Sequence, residues 1–153
     1  MNLETKSSIA FTVALANAAS ASIISCSGLL KVLSVTKVLD KLVASTKVGV
    51  TSNQLDKIAR EETERLGGKP AFLGYQGFPA TVCVSVNNEI VHAIPNDRPF
   101  REGDLIGIDY GVNYEGMITD AARTISLGKP SQDAKALLEG CYSALQKAID
   151  VVK

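Results

Sequence analysis

The chain has a single histidine in 153 residues, no tryptophan, and three cysteines. Cys26, Cys83 and Cys141 are widely spaced, odd in number and without a CxxC pair. That argues against a disulfide framework or a zinc knuckle and makes a reducing compartment the default. With His92 as the one histidine, any metal site made by this chain alone has to be dominated by carboxylates. An excess of either charge is also missing: 16 basic residues balance 16 acidic ones. No field for nucleic acid or an anionic membrane is implied. No unbroken apolar run is long enough to span a bilayer. The length suits one domain able to bury a core.

Residues 1–36 read differently from the remainder. Ser7 to Ser27 is rich in Ala, Ser, Ile and Val and nearly free of charge. An irregular or weakly helical leader is expected there. A secretory signal is the alternative, weakened because Glu4 cancels Lys6 and the stretch is more Ser/Ala than Leu.

Beyond it, Val32 to Val43 carries apolar residues at helical spacing, as the end of an amphipathic helix would. Thr51-Ser-Asn-Gln54 is a capping box opening a second helix, with Leu55, Ile58, Ala59, Glu62 and Leu66 on one stripe. Gly67-Gly68 and Pro70 end it. Thr81 to Val86 alternates like a strand, and Asn87-Asn88 predicts a type I′ turn into a strand over Glu89–His92. Asp97 to Asp104 reads as a polar loop, with Arg98, Arg101 and Lys129 as solvated charges. Ser131 caps a last helix striped by Leu137, Leu138, Cys141, Leu145, Ile149 and Val152. The plan is an α+β unit of antiparallel hairpins flanked by helices, and it looks unfinished because the last stripe has nothing to bury against.

Two aspartates stand out, Asp109 and Asp120, on two strand-like runs joined by Tyr114-Glu-Gly116. Strand side chains alternate with period 2, and the loop sets the register. A Glu115-Gly116 loop makes the aspartates diagonal neighbours on one face, roughly 7–8 Å apart at Cα. A Tyr114-Glu115 loop places them directly opposite, roughly 5 Å apart. A three-residue loop with a bulge at Gly116 breaks the parity. Two buried carboxylates on one face repel and would take up a proton unless a cation lies between them. Hard divalent ions with oxygen ligands answer that need. The competing reading is two solvent-facing strand aspartates.

Five segments decide between these readings: Leu73-Gly-Tyr-Gln-Gly-Phe-Pro79, Val82-Cys-Val-Ser-Val-Asn87, Val91-His-Ala-Ile-Pro95, Ile108-Asp-Tyr-Gly111 and Thr119-Asp-Ala-Ala-Arg-Thr124. In this order they resemble the type I methionine aminopeptidases of the pita-bread fold, from about Val38 to the C-terminus. The resemblance implies residues 37–153 as the N-terminal half of such a domain. It implies Asp109 as bidentate ligand of one divalent metal and Asp120 as the carboxylate bridging two (Co, Mn, Fe or Zn). It makes His92 the histidine that contacts the scissile amide and steadies the tetrahedral intermediate. Tyr75, Phe78 and Cys83 fall where the family forms its methionine pocket, and a thiol with two aromatics suits a thioether. Cys26 and Cys141 are read as structural.

Three departures accompany the resemblance. The family completes its site with one histidine and two glutamates from the second half of the fold, which this chain does not contain. Two aspartates are too few to hold a dinuclear centre tightly. The chain alone is therefore expected to be inactive, whether as a fragment, a truncated product or half of a split protein. Gln76 stands where many relatives have histidine, and Phe72 where a smaller residue is common, so substrate preference is expected to shift. Residues 1–36 do not match the family's charged first helix; a reading-frame or start-site change is one explanation.

The implied activity is removal of N-terminal methionine from nascent chains by two-metal hydrolysis, in the cytoplasm. The full-length protein would be a monomer that meets its substrates near the ribosome. An Xaa-Pro aminopeptidase on the same fold is the second reading, though Tyr75–Pro79 and His92–Pro95 favour the methionine branch. The third is a non-catalytic pita-bread binding module: the truncation argues for it, but such a module would have no reason to keep both aspartates and the histidine.

Overall fold

The computed structural model describes residues 26–151. Most of the segment read as a leader, and the question of a signal within it, lies outside the described residues, as do the side chains of Cys26 and Val152. Helix α1 spans Cys26–Ser45, so it reaches back into the leader segment from Cys26 on. Helix α2 spans Ser52–Arg65. Four strands follow: β1 Lys69–Pro70, β2 Val82–Val86, β3 Leu105–Tyr114 and β4 Met117–Ser126. Helix α3, Gln132–Val151, closes the order.

The capping box forms as expected. The Gln54 N–H donates to Thr51 Oγ1 and the Thr51 N–H to Gln54 Oε1, so two N–H groups without helical partners are satisfied at once. The buried stripe of α2 is Leu55, Ala59 and Thr63. Glu62, expected on that stripe, instead binds Arg65 at 2.8 Å. Thr63 takes the core position because its hydroxyl meets the Tyr110 hydroxyl at 2.7 Å inside the core. A buried polar group needs such a partner.

Strand β3 is the spine of the sheet. All ten of its residues pair with β4 on one side. On the other side it pairs with β2 and, farther along, with β1. Alternation then gives the sheet two faces. Val82, Val84, Ile106, Ile108, Tyr110, Val112 and Ala121 face α1 and α2, where Val38, Leu39, Leu42, Leu55 and Ala59 close the core. The opposite face carries Cys83, Ser85, Gly107, Asp109, Gly111, Asp120, Ala122 and Thr124, as the strand register requires.

Several sequence expectations need correction. Glu89–His92 is not a strand. A type I′ turn needs positive φ at both central residues, but of the pair Asn87-Asn88 only Asn87 has it, at 58°. Asn87 stays tied to the start of β3: its N–H donates to the Leu105 carbonyl, and its side-chain oxygen accepts the Leu105 N–H. Glu89 Oε2 accepts the Val86 N–H at 2.7 Å, occupying the edge group that a further strand would have used. The stretch Asp97–Asp104 is not merely polar, because Phe100 is a core residue. Nor is Arg98 simply solvated. It donates to both carboxylate oxygens of the buried Asp104 at 3.1 Å.

Ser131 does cap α3, its Oγ accepting the Ala134 N–H. The helix has no buried residue, so Cys141 is exposed rather than packed. Leu137 is 63% exposed and Ile149 52%.

Candidate metal centre and substrate pocket

The hairpin resolves the register question. Tyr114 pairs with Met117, leaving Glu115-Gly116 as a two-residue loop. Both loop residues have positive φ, 51° and 84°, which defines a type I′ turn and matches the twist of the strands. Asp109 then pairs with Ala122, and Asp120 with Gly111. The two aspartates are diagonal neighbours on the face away from the helices.

That placement has an electrostatic consequence. Burial pushes the Asp109 carboxyl up to about 7, helped by the charge of Asp120. Metal-free, the pair therefore holds a proton near neutrality that ordinary carboxyls would have lost. Across the strand from Asp109 stands Cys83. Burial, then the charges of Asp109 and Asp120, raise its thiol to about 12. Cys83 is thus a neutral, polarisable wall at physiological pH and not a thiolate nucleophile.

A cavity of about 650 Å³ opens over these residues. Asp109, Asp120, His92, Tyr75, Phe78 and Cys83, all six site residues expected from the sequence, line it together. Tyr75 and Phe78 reach it through a short 3₁₀ turn, Tyr75–Gly77, entered at Gly74 with φ 82°. Gln76 within it has φ 49°. His92 is on the exposed loop after β2, with φ 59°. Phe72 also lines the cavity, and its ring lies so close to Gly111 that a Cβ there would come within 2.6 Å of it. Ala71, Ile94 and Ile118 are lining residues that sequence reasoning missed. Ile118 was legible, since it shares parity with Asp120 on β4. Ile94 was not, because its loop lacks a periodic pattern.

As a metal site the donor set is of the right kind and incomplete. Two carboxylates offer hard oxygen ligands, and a cation between them would offset the burial and the Asp120 charge that together raise Asp109. Among the described residues no group of three or more His, Cys, Asp or Glu side chains is placed to hold a metal ion.

The profile of metallopeptidase family M24 matches residues 32–153. The chain belongs to metallopeptidase family M24. A methionine aminopeptidase from Aquifex aeolicus is 42% identical over 123 residues, covering 76% of this chain and 48% of that protein. The crystal structure of methionine aminopeptidase from Thermotoga maritima superposes with a TM-score of 0.78 at 32% identity, over 88% of this chain and 56% of the other. An X-Pro aminopeptidase from the same organism gives 0.58 at 20% identity, over 69% and 28%, a likeness of fold alone. The α+β unit is thus that of the pita-bread fold, and this M24 chain spans about half the length of the curated relatives it matches. No helix among the described residues is long and apolar enough to cross a membrane.

Proposed function

We propose that this chain carries half of the active site of a methionine aminopeptidase, an enzyme that removes N-terminal methionine from nascent polypeptides in the cytoplasm. The observation that carries the reading is the convergence of Asp109, Asp120 and His92 with Tyr75, Phe78 and Cys83 around one cavity.

In this reading Asp109 and Asp120 would hold the divalent ions, Co, Mn, Fe or Zn, through their carboxylate oxygens. When bound, they supply a polarised carbonyl and a water acidic enough to attack near neutral pH. The protein's own groups do the rest. His92 donates a hydrogen bond to the scissile amide and steadies the tetrahedral intermediate. Tyr75, Phe78 and the neutral Cys83 take up the thioether side chain, with dispersion and sulfur–aromatic contacts as the attraction. The ring of Phe72 narrows the pocket beside Gly111, which favours slender, unbranched side chains. Because two aspartates are a partial ligand set, the chain alone binds metal weakly and does not turn over substrate. The completed protein acts as a monomer and meets its substrates near the ribosome. The catalytic half-domain takes in residues 37–153 together with the part of α1 just before them, whose Val35 lies in the core.

The test uses the chain alone and the chain joined to the C-terminal half of the Aquifex aeolicus relative. Both are assayed for bound metal and for hydrolysis of Met-Ala-Ser and of a matched Xaa-Pro peptide, with Mn, Co or Fe supplied. The joined protein is expected to bind about two ions and cleave Met-Ala-Ser, and Asp120→Asn to abolish both. A joined protein that binds metal and cleaves neither peptide would sink the enzyme reading. Preference for the Xaa-Pro peptide would move it to the second branch.

A further inference from the structure

We propose that Ser85 is a positioning residue for His92, acting through the backbone of Ala93. The inference rests on the role given to His92 above and adds a residue to the machinery of that site.

His92 belongs to a stretch with little of its own to hold it. Ile90 is 90% exposed and Val91 64%, and His92 itself is exposed. Its φ of 59° is a conformation that side chains other than glycine rarely adopt. Such a conformation persists only where the surroundings impose it. Farther on, Ser52 holds Asn96: its hydroxyl donates to the Asn96 carbonyl and accepts the Asn96 N–H. Between Glu89 and Asn96, the described hydrogen bonds to the sheet are the two at Ala93. The Val84 N–H donates to the Ala93 carbonyl at 3.3 Å, and the Ala93 N–H donates to Ser85 Oγ at 3.3 Å.

The second bond is the unusual one. In a regular antiparallel ladder the Ala93 N–H would return to the carbonyl of the residue that binds its own carbonyl. Here it ends on a side chain one residue farther along β2. The ladder stops after one rung, and the preceding residue, His92, turns into the left-handed region at the cavity instead of continuing along the edge. Ser85 suits this role by face and by size. It shares the cavity side of β2 with Cys83, is 8% exposed, and pairs with Gly107, whose missing side chain leaves room beside it. Alanine would delete the acceptor with little change of shape. Threonine would keep the hydroxyl, place its methyl in the space beside Gly107, and suit a strand.

Two readouts test the proposal, and they separate its failure from failure of the proposed function. In the chain as it stands, Ser85→Ala is expected to speed hydrogen exchange of the Ala93 amide at least about tenfold and to shift the His92 ring resonances. Ser85→Thr should leave both near wild type. Unchanged exchange and unchanged His92 signals in Ser85→Ala would overturn the positioning, whatever the activity. In the protein joined to the relative's C-terminal half, Ser85→Ala should lower kcat about threefold to tenfold. KM should be preserved and Ser85→Thr should restore the rate. On a His92→Ala background Ser85→Ala should do nothing more. A full drop persisting on that background would refute action through His92. An inactive joined protein would count against the proposed function, leaving the exchange experiment to decide on Ser85.

Discussion

Removing the charge of Asp109 should stabilise the metal-free chain, and increasingly so as the pH rises. In the fold its carboxyl stands at about 7 against an ordinary 3.8, raised by burial first and then by Asp120. The unfolded chain releases this proton near pH 4. Between pH 4 and 7 the folded state therefore binds a proton that the unfolded state does not, and by linkage stability falls across that window. The favourable term is complete below the unfolded value and gone above the folded one. At 1.36 kcal/mol per decade, the interval corresponds to at most about 4 kcal/mol. Asp109 is only partly buried and water screens it, which brings the working figure to about 2 kcal/mol.

The assay is urea unfolding of wild type and Asp109→Asn at pH 4, 5.5 and 8, in the presence of a chelator. Other carboxyls titrate in both proteins and cancel in the difference. The variant's advantage should widen by about 2 kcal/mol from pH 4 to pH 8. At pH 8, millimolar Mn²⁺ should recover much of the wild-type loss and none in the variant. A wild-type–variant difference that stays constant with pH would show that Asp109 does not hold its proton in the fold, and the electrostatic case for a cation at this pair would fall with it.

Two further outcomes follow from the packing. Gly111→Ala puts a Cβ within 2.6 Å of the Phe72 ring and 3.2 Å of the Ala71 Cβ. It should cost about 1–3 kcal/mol in urea unfolding, partly recovered by Phe72→Leu; an unaffected midpoint would show that Phe72 does not lie on the cavity floor. Asp104→Asn should cost about 1–3 kcal/mol at pH 7. Burial alone would raise this carboxyl, but hydrogen bonds from Asn87, the Arg101 N–H and Arg98, with the Arg98 charge, bring it below its ordinary value. Its contribution is therefore present above the ordinary carboxylate range and lost as pH falls through the lowered value, so wild type and variant should converge in acid. Curves that stay parallel would refute that network.

Local chemistry was legible where a short segment settles its own conformation. The capping box at Thr51–Gln54 and the cap at Ser131 were readable because their partners lie within three residues. The hairpin was readable down to a small set of registers, and for both two-residue loops in that set the alternation put both aspartates on one face. What failed depended on distant partners. Glu89–His92 resembles a strand in composition, yet Asn87 is held by Leu105 and Asp104, and Glu89 occupies the edge of β2. Phe100 looked like part of a polar loop because the core it enters is made by residues elsewhere in the chain. Arg98 looked solvated because nothing nearby in the sequence announces that Asp104 is buried.

The sequence by itself determined the residue types and their spacing: a carboxylate pair in one hairpin, one histidine before an Ile-Pro, and a thiol with two aromatics suited to a thioether. The aspartate pair follows from period-2 alternation; the histidine, the thiol and the two aromatics stood out only through the resemblance to the methionine aminopeptidases. The tertiary structure decided the register, through a type I′ turn at Glu115-Gly116. It also brought loop, turn and three strands around one cavity, and raised the Asp109 carboxyl by burying it beside Asp120. Electrostatics and pocket shape depend on distance and on exclusion of water, and both exist only once residues from Ala71 to Asp120 have packed together.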